Sequence, residues 1–268
     1  MATRQSSAMN ERVWSQLPDG SRAVLEDELS PTDLQSLLIN LTQTRARRIG
    51  TAEVLRRWKL DRFVRPAAID PGRLSEVENR LWRRLRETPF VGLALSPVTP
   101  LGTCTSVGAV DQNRIVSTVR SSEVVSDPTN VLAIEAALRR RSSVDQVHLA
   151  SCQRVLRAQR FVEPGAYAHF VLFALVSSAR DSGSARTEGQ LLIMHLRFWQ
   201  QVLSDLLGSS WGALRLQSDR QSVERPSARR HDTSGVAGRA IDRLSRTHTG
   251  HWLLPHGGVQ DHGGDRGR

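Results

Sequence analysis

Apolar positions along this chain follow two different periods. From Ser30 to Glu87 they recur at helical spacing. Ser30 can cap a helix, Pro31 suits its first position and Asp33 follows in the first turn, so a helix is predicted with Leu34, Leu37, Leu38 and Leu41 inward. Its end is read in Arg45, Arg47 and Arg48, which suit the negative C-terminal end, with Gly50 as the stop. Thr51 is read as the cap of a second helix, TAEVLRRWKLDRF, with Val54, Leu55, Trp58 and Phe63 inward. A third, DPGRLSEVENRLWRRLRE, carries the stripe Leu74, Val77, Leu81, Trp82 and Leu85 and ends at Pro89. The residues before Ser30 are polar and are expected to fray up to Leu25.

From Leu95 to Asp181 the period shortens. IVSTV from Ile115, VHLA from Val147 and HFVLFALV from His169 read as β-rich runs, and Pro97 and Pro100 stop the run FVGLALSP from continuing as an interior strand. In EVVSDPTNVLAIEAALRRR a strand end leads into a helix, Asn130 to Arg141, capped by Asp127 or Thr129. Val147 to Val176 is predicted as two adjacent antiparallel strands joined around Pro164 and Gly165. A last helix, Glu188 to Gly208, has Leu191, Leu192, His195, Trp199, Leu203 and Leu206 broadly on one face, with His195 as a core or boundary residue. The expectation is an α+β fold, an antiparallel sheet flanked by helices. Residues 1–66 form an N-terminal helical region, 67–218 the core and 219–268 a tail.

Composition changes this picture in three places. The longest apolar run, VLFALV, is far below the roughly 20 residues of a membrane helix, and the start lacks the apolar region of a secretion signal, so a cytoplasmic protein without a membrane partner is expected. Cys104 and Cys152 are the only cysteines and lack metal-ligand spacing, so both are read as buried small residues. The net charge of +10 points toward polyanions, but 36 of the 37 basic residues are Arg, a bias that also follows from GC-rich coding. The most basic region, Arg45 to Arg65, is read as a solvated helix face, with a nucleic-acid-binding module over residues 31–65 as the alternative.

Three elements in order resemble the catalytic core of class II aminoacyl-tRNA synthetases, nearest the histidyl group and the ATP phosphoribosyltransferase regulatory subunit. Arg73 to Pro100, a long helix feeding a strand that ends in proline, resembles motif 1, and implies a homodimer through that region. Glu123 to Arg141 is similar to the segment with an "RPE-x-T" turn, which would place Asp127, with Thr129, at the amino group of an amino-acid-like ligand. VHLASCQRVLRAQRFVEPGAYAHFVLFALV resembles motif 2, with Arg157 as the arginine that holds the α-phosphate of ATP, Gln159 at the position of a glutamate and Phe170 as the aromatic under adenine.

That resemblance implies carboxylate adenylation with ATP and Mg²⁺, a ligase activity. A guanidinium is fixed in charge and forked, which suits a phosphate that gains charge during adenylation. The alternative is a non-catalytic, ligand-sensing or partner-binding subunit of the same fold, favoured by the lack of a clear motif 3. The chain also departs from the family pattern at two places. Gln159 replaces a carboxylate, and VLFALV puts apolar residues where synthetases carry polar ones. Motif 3 has one poor candidate, SGVAGRAIDRL from Ser234 to Leu244. The last 50 residues hold 5 of the 8 His and 8 of the 19 Gly, and so read as a disordered extension or out-of-frame translation.

Overall fold

The computed structural model describes residues 11–108, 110–142, 145–159 and 167–208. The tail 219–268, the Ser234 to Leu244 segment and the loop at Pro164 and Gly165 lie outside them. Helix α1 spans Pro31–Ala46, where the Ser30 hydroxyl accepts the Asp33 amide at 3.1 Å. Helix α2 spans Thr51–Leu60, and its N-cap is Gly50, without a side-chain cap. Thr51 is thus the first helical residue, one step inside its expected role. Upstream, where fraying was expected, a short helix Ser21–Ala23 runs into a π-helical turn Val24–Glu28, both without buried residues.

The apolar stripes of α1 and α2 are not inward. Leu41 is 48%, Leu55 56% and Trp58 50% exposed, and Leu37, Leu38 and Val54 are also open. Periodicity states which side chains share a face; it does not state what lies opposite. The third helix behaves otherwise. Helix α3, Pro71–Leu85, starts on Asp70, whose carboxylate accepts the Gly72 amide at 2.8 Å, and it buries Leu81 and Leu85.

Beyond α3 the chain forms strand β1 (Val91–Gly92), strand β2 (Val98–Pro100), helix α4 (Thr103–Gly108), strand β3 (Ser122–Val124), helix α5 (Pro128–Arg140), strands β4 (Gln146–Leu156) and β5 (His169–Ala179), and helix α6 (Arg186–Leu207). The run IVSTV is not a strand. A 3-10 turn covers Gln112–Arg114, and a single bridge joins Ser117 to Glu123. The Thr118 amide donates to the Ser122 carbonyl at 2.7 Å, so the run folds back on itself too soon to extend.

β4 and β5 pair antiparallel over eleven residues, from Gln146 opposite Ala179 to Leu156 opposite His169. The predicted hairpin is therefore present. β1 adds to the other edge of β4 in parallel, giving a mixed sheet in the order β1-β4-β5, while β2 and β3 form a separate antiparallel pair. Alternation along the strands splits the sheet into two faces. Val147, Leu149, Ala174 and Val176 pack on Leu132 and Ala136 of α5. Ala150 and Leu175, facing the other way, pack with Leu81 and Leu85 of α3, Phe90, and Phe198 and Val202 of α6. Gly92 lies so close to Trp82 that a Cβ there would sit 2.7 Å from the indole.

α6 begins two residues before its expected start, and its inward face is centred on Phe198 and Val202, with Leu192 turned out at 40% exposure. His195 lies at the boundary of this layer. Its Nε2 is 2.8 Å from the Ser177 hydroxyl, which is also 2.9 Å from His148 Nδ1, and Phe90 meets both imidazoles edge-on. Burial, with a smaller contribution from His148, pushes His195 down to about 4, and burial lowers His148 as well. Both rings are therefore neutral at pH 7.

The unfolded chain binds protons near pH 6.5 that folded His195 refuses until about pH 4, so stability is full above the higher value and is lost as pH falls between the two. From pH 7 to pH 4.5 this residue's contribution falls by about 2 to 3 kcal/mol. Urea unfolding at the two pH values measures the loss, and His195→Asn is expected to shrink it.

Candidate functional site

α5 runs back along β4, so its first turn lies beside the strand's end. That is where the sequence-predicted residues meet. Asp127 caps α5 with Pro128 at the first helical position, which settles the cap on Asp127 and makes Thr129 part of the first turn. One carboxylate oxygen, Oδ1, accepts the Thr129 amide at 2.9 Å and its hydroxyl at 2.7 Å, and Thr129 is itself buried. Both Thr129 donors are thus spent on fixing Asp127.

The other oxygen, Oδ2, is 3.4 Å from Arg157 Nη2. Arg157 also donates from Nε to the Ser126 carbonyl at 3.1 Å, and its guanidinium carbon stands 5.1 Å from the centre of the Phe170 ring. Arg157 and Phe170 follow the same two-residue alternation that puts Val155 and Ala174 on the α5 side of the sheet. The Arg157 side chain keeps 24% of its surface exposed, whereas that of Asp127 keeps 10%. A 3.4 Å contact is long for a charge-assisted hydrogen bond, so this pair is easily redirected.

Gln159 enters this arrangement through its backbone, since its carbonyl accepts from Arg62 Nη1 at 2.6 Å. Arg154, three residues before Arg157, faces the opposite side and donates from Nη1 to His169 Nδ1 at 3.1 Å.

Sequence reasoning passed over Glu123, the fully buried carboxylate behind the site. It accepts the Cys104 amide at 2.7 Å, the Gly102 amide at 3.0 Å and the Gln112 side chain at 2.9 Å. Burial, the largest influence, raises its pKa, but these three donors together outweigh it and the group titrates below its ordinary value. Glu123 thereby holds the start of α4, whose Cys104 thiol accepts from the Ser126 hydroxyl at 3.3 Å, next to the carbonyl that Arg157 uses. Burial pushes the Cys104 thiol up, so it stays protonated. The one available signal was an acidic residue inside a β-rich run, EVV, twenty residues after a Pro-Leu-Gly turn. Cys152, expected to be buried, is only half-buried.

The described side chains do not suit Mg²⁺. Glu123 is enclosed by N–H donors, Asp127 is held by Thr129 and Arg157, and Gln159 stands where a carboxylate would help. Among the described residues there is no group of three or more His, Cys, Asp or Glu placed to hold a metal, and no helix long and apolar enough to cross a membrane.

No protein-family model matches this chain, and no curated protein matches it either. Solved structures do overlap with it. A pyrrolysyl-tRNA synthetase from Desulfitobacterium hafniense is 12% identical at a TM-score of 0.42, over 70% of this chain and 60% of that one. An ATP phosphoribosyltransferase regulatory subunit/histidyl-tRNA synthetase from Bacillus halodurans is 14% identical at 0.38, over 48% and 33%. A histidyl-tRNA synthetase from Nostoc is 15% identical at 0.38, over 52% and 34%. The chain thus spans between about a third and three fifths of these proteins' length. The likeness is one of backbone arrangement alone, and the chemistry is argued from the side chains.

Glu123 gives the sharpest stability test of this region. Glu123→Ala leaves the Gly102 and Cys104 amides without their acceptor and is expected to cost about 2 to 5 kcal/mol in urea unfolding. Glu123→Gln keeps one acceptor and should cost less. Because the folded carboxyl titrates below its ordinary value, the wild-type contribution is present above the unfolded pKa near 4.3 and is lost as pH falls through the lowered one. A Glu123→Ala protein as stable as the parent would contradict this account.

Proposed function

We propose that the end of β4 and the first turn of α5 bind ATP together with an amino-acid-like ligand, in the manner of a class II synthetase-like protein. The observation that carries this reading is the loose Arg157–Asp127 pair beside Phe170. A ligand bearing an ammonium group next to a phosphate would divide that pair, offering its ammonium to Asp127 and its phosphate to Arg157. Each charge would then exchange a 3.4 Å partner for a closer one. Phe170 supplies the flat apolar surface a base needs. In carboxylate activation Arg157 would face the charge that builds on the α-phosphate, and the ammonium held at Asp127 would orient the carboxylate.

A ligand-sensing reading without adenylation has its own support. Ala174 and Val176 on the α5 side of β5 are committed to the core and Leu172 beside them is apolar, so the stretch of that strand next to Phe170 offers no polar side chain on this side for substrate or metal. The two readings share the binding step and part at pyrophosphate exchange.

Replacing Arg157 by Ala removes a charge-assisted contact of about 1.5 to 3 kcal/mol, so ATP affinity by calorimetry is expected to fall about ten- to a hundredfold while the fold persists. Arg154→Ala, on the opposite face, should leave it within about threefold. A loss in the Arg154 variant with none in the Arg157 variant would overturn the assignment. ATP-dependent pyrophosphate exchange, assayed across the amino acids, then separates activation from sensing.

A further inference from the structure

The residues that present Arg157 are held by a distant part of the chain. The β4–β5 ladder closes at Leu156 opposite His169, so Arg157, Ala158 and Gln159 lie beyond its last pair. Two backbone bonds support them, from the Arg157 amide to the Ala168 carbonyl at 2.8 Å and from the Ala158 amide to the Arg114 carbonyl at 3.0 Å. Besides the contacts of the Arg157 side chain itself, further ties come from Arg62, just after α2. Its guanidinium donates from Nη1 to the Gln159 carbonyl at 2.6 Å and from Nη2 to the Ala158 carbonyl. A planar fork suits two consecutive carbonyls, which one ammonium cannot match.

The turn that carries Arg62 is itself fixed. Asp61 accepts the Phe63 amide at 2.8 Å, the Arg62 guanidinium lies 4.6 Å over the Phe63 ring, and Arg65 donates to the Lys59 carbonyl at 2.6 Å. The same turn also reaches the partner strand, where His169 Nε2 is 2.7 Å from the Arg65 carbonyl. A carbonyl can only accept, so Nε2 carries the proton and Nδ1 is left to accept from Arg154, as its 3.1 Å contact requires. Residues 61–65 therefore hold both strands at the loop end of the hairpin, two and three residues past β4 and at the first residue of β5.

We infer that Arg62 is a positioning residue and that the N-terminal helical unit acts as a strap which sets where Arg157 and Phe170 sit. Its functional half rests on the nucleotide reading of the Arg157 site. These ties are solvent-exposed, and exposed polar contacts contribute little to global stability. Their effect is local, on a segment that has left the ladder. Movement of the helical unit, by whatever engages it, would be felt first at Arg157.

The test uses the full chain and two readouts. In nucleotide-free protein, Arg62→Ala is expected to speed amide exchange at Arg157 and Ala158 at least tenfold, while Leu149 and Val176 in mid-ladder keep their protection. ATP affinity should fall about five- to tenfold without any change at the residues that contact the nucleotide. Arg62→Lys, able to serve one carbonyl at a time, should recover part of both effects. Unchanged exchange at Arg157 and Ala158 overturns the strap, and faster exchange with undiminished ATP affinity overturns its positioning role. If the parent chain bound no ATP, the nucleotide reading would fall instead, and the exchange measurement would still decide the strap.

Discussion

The eleven-residue pairing of β4 with β5 is the constraint from which the rest of this structure follows. Without it neither helical layer has a surface. Strand alternation sends Val147, Leu149, Ala174 and Val176 to α5, and sends Ala150 and Leu175 to α3 and α6, so one ladder builds both hydrophobic clusters. A slip of one residue in either strand would send its side chains to the opposite face and mismatch both clusters. The same register puts Arg157 and Phe170 on the α5 side, at the end where α5 begins. Site and core are thus two consequences of one pairing.

Charge is handled differently in the two halves of the site. Glu123 is fully enclosed, held by N–H donors from Gly102, Cys104 and Gln112, and it works as a rivet. Asp127 satisfies its own helix through one oxygen and meets Arg157 loosely through the other. A charged ligand at this place, as proposed above, would meet a fixed backbone behind the Asp127–Arg157 pair. The His148, Ser177 and His195 cluster lies on the other face of the sheet, next to Phe90, and belongs to packing.

Much of this was legible in the sequence wherever local chemistry and burial agree. The Ser30 cap, the α3 stripe and the two strands within Val147 to Val176 each carry their own signal, and each appears as read. The grouping of Asp127, Arg157 and Phe170 was expected from the family resemblance alone, and the three side chains do lie together. What escaped depends on long-range placement. IVSTV has the composition of a strand, yet a turn closes it; Leu37, Val54 and Trp58 are on faces that no other described residues cover; and Arg62 finds its partners 96 and 97 residues away. No local pattern encodes such distances.

The uncovered stripes and the polar strap together say what kind of attachment the N-terminal unit has. A unit docked through Leu37, Leu41, Leu55 and Trp58 would bury a large apolar area and would be inseparable from the core. Here those residues stay exposed, and the described hydrogen bonds that tie Arg62 and Arg65 to the hairpin end are polar and solvent-exposed. Polar contacts at the surface are directional, whereas apolar burial is not. An attachment of this kind contributes little to holding the fold together and much to specifying geometry at one place. That place is the backbone on which Arg157 is carried.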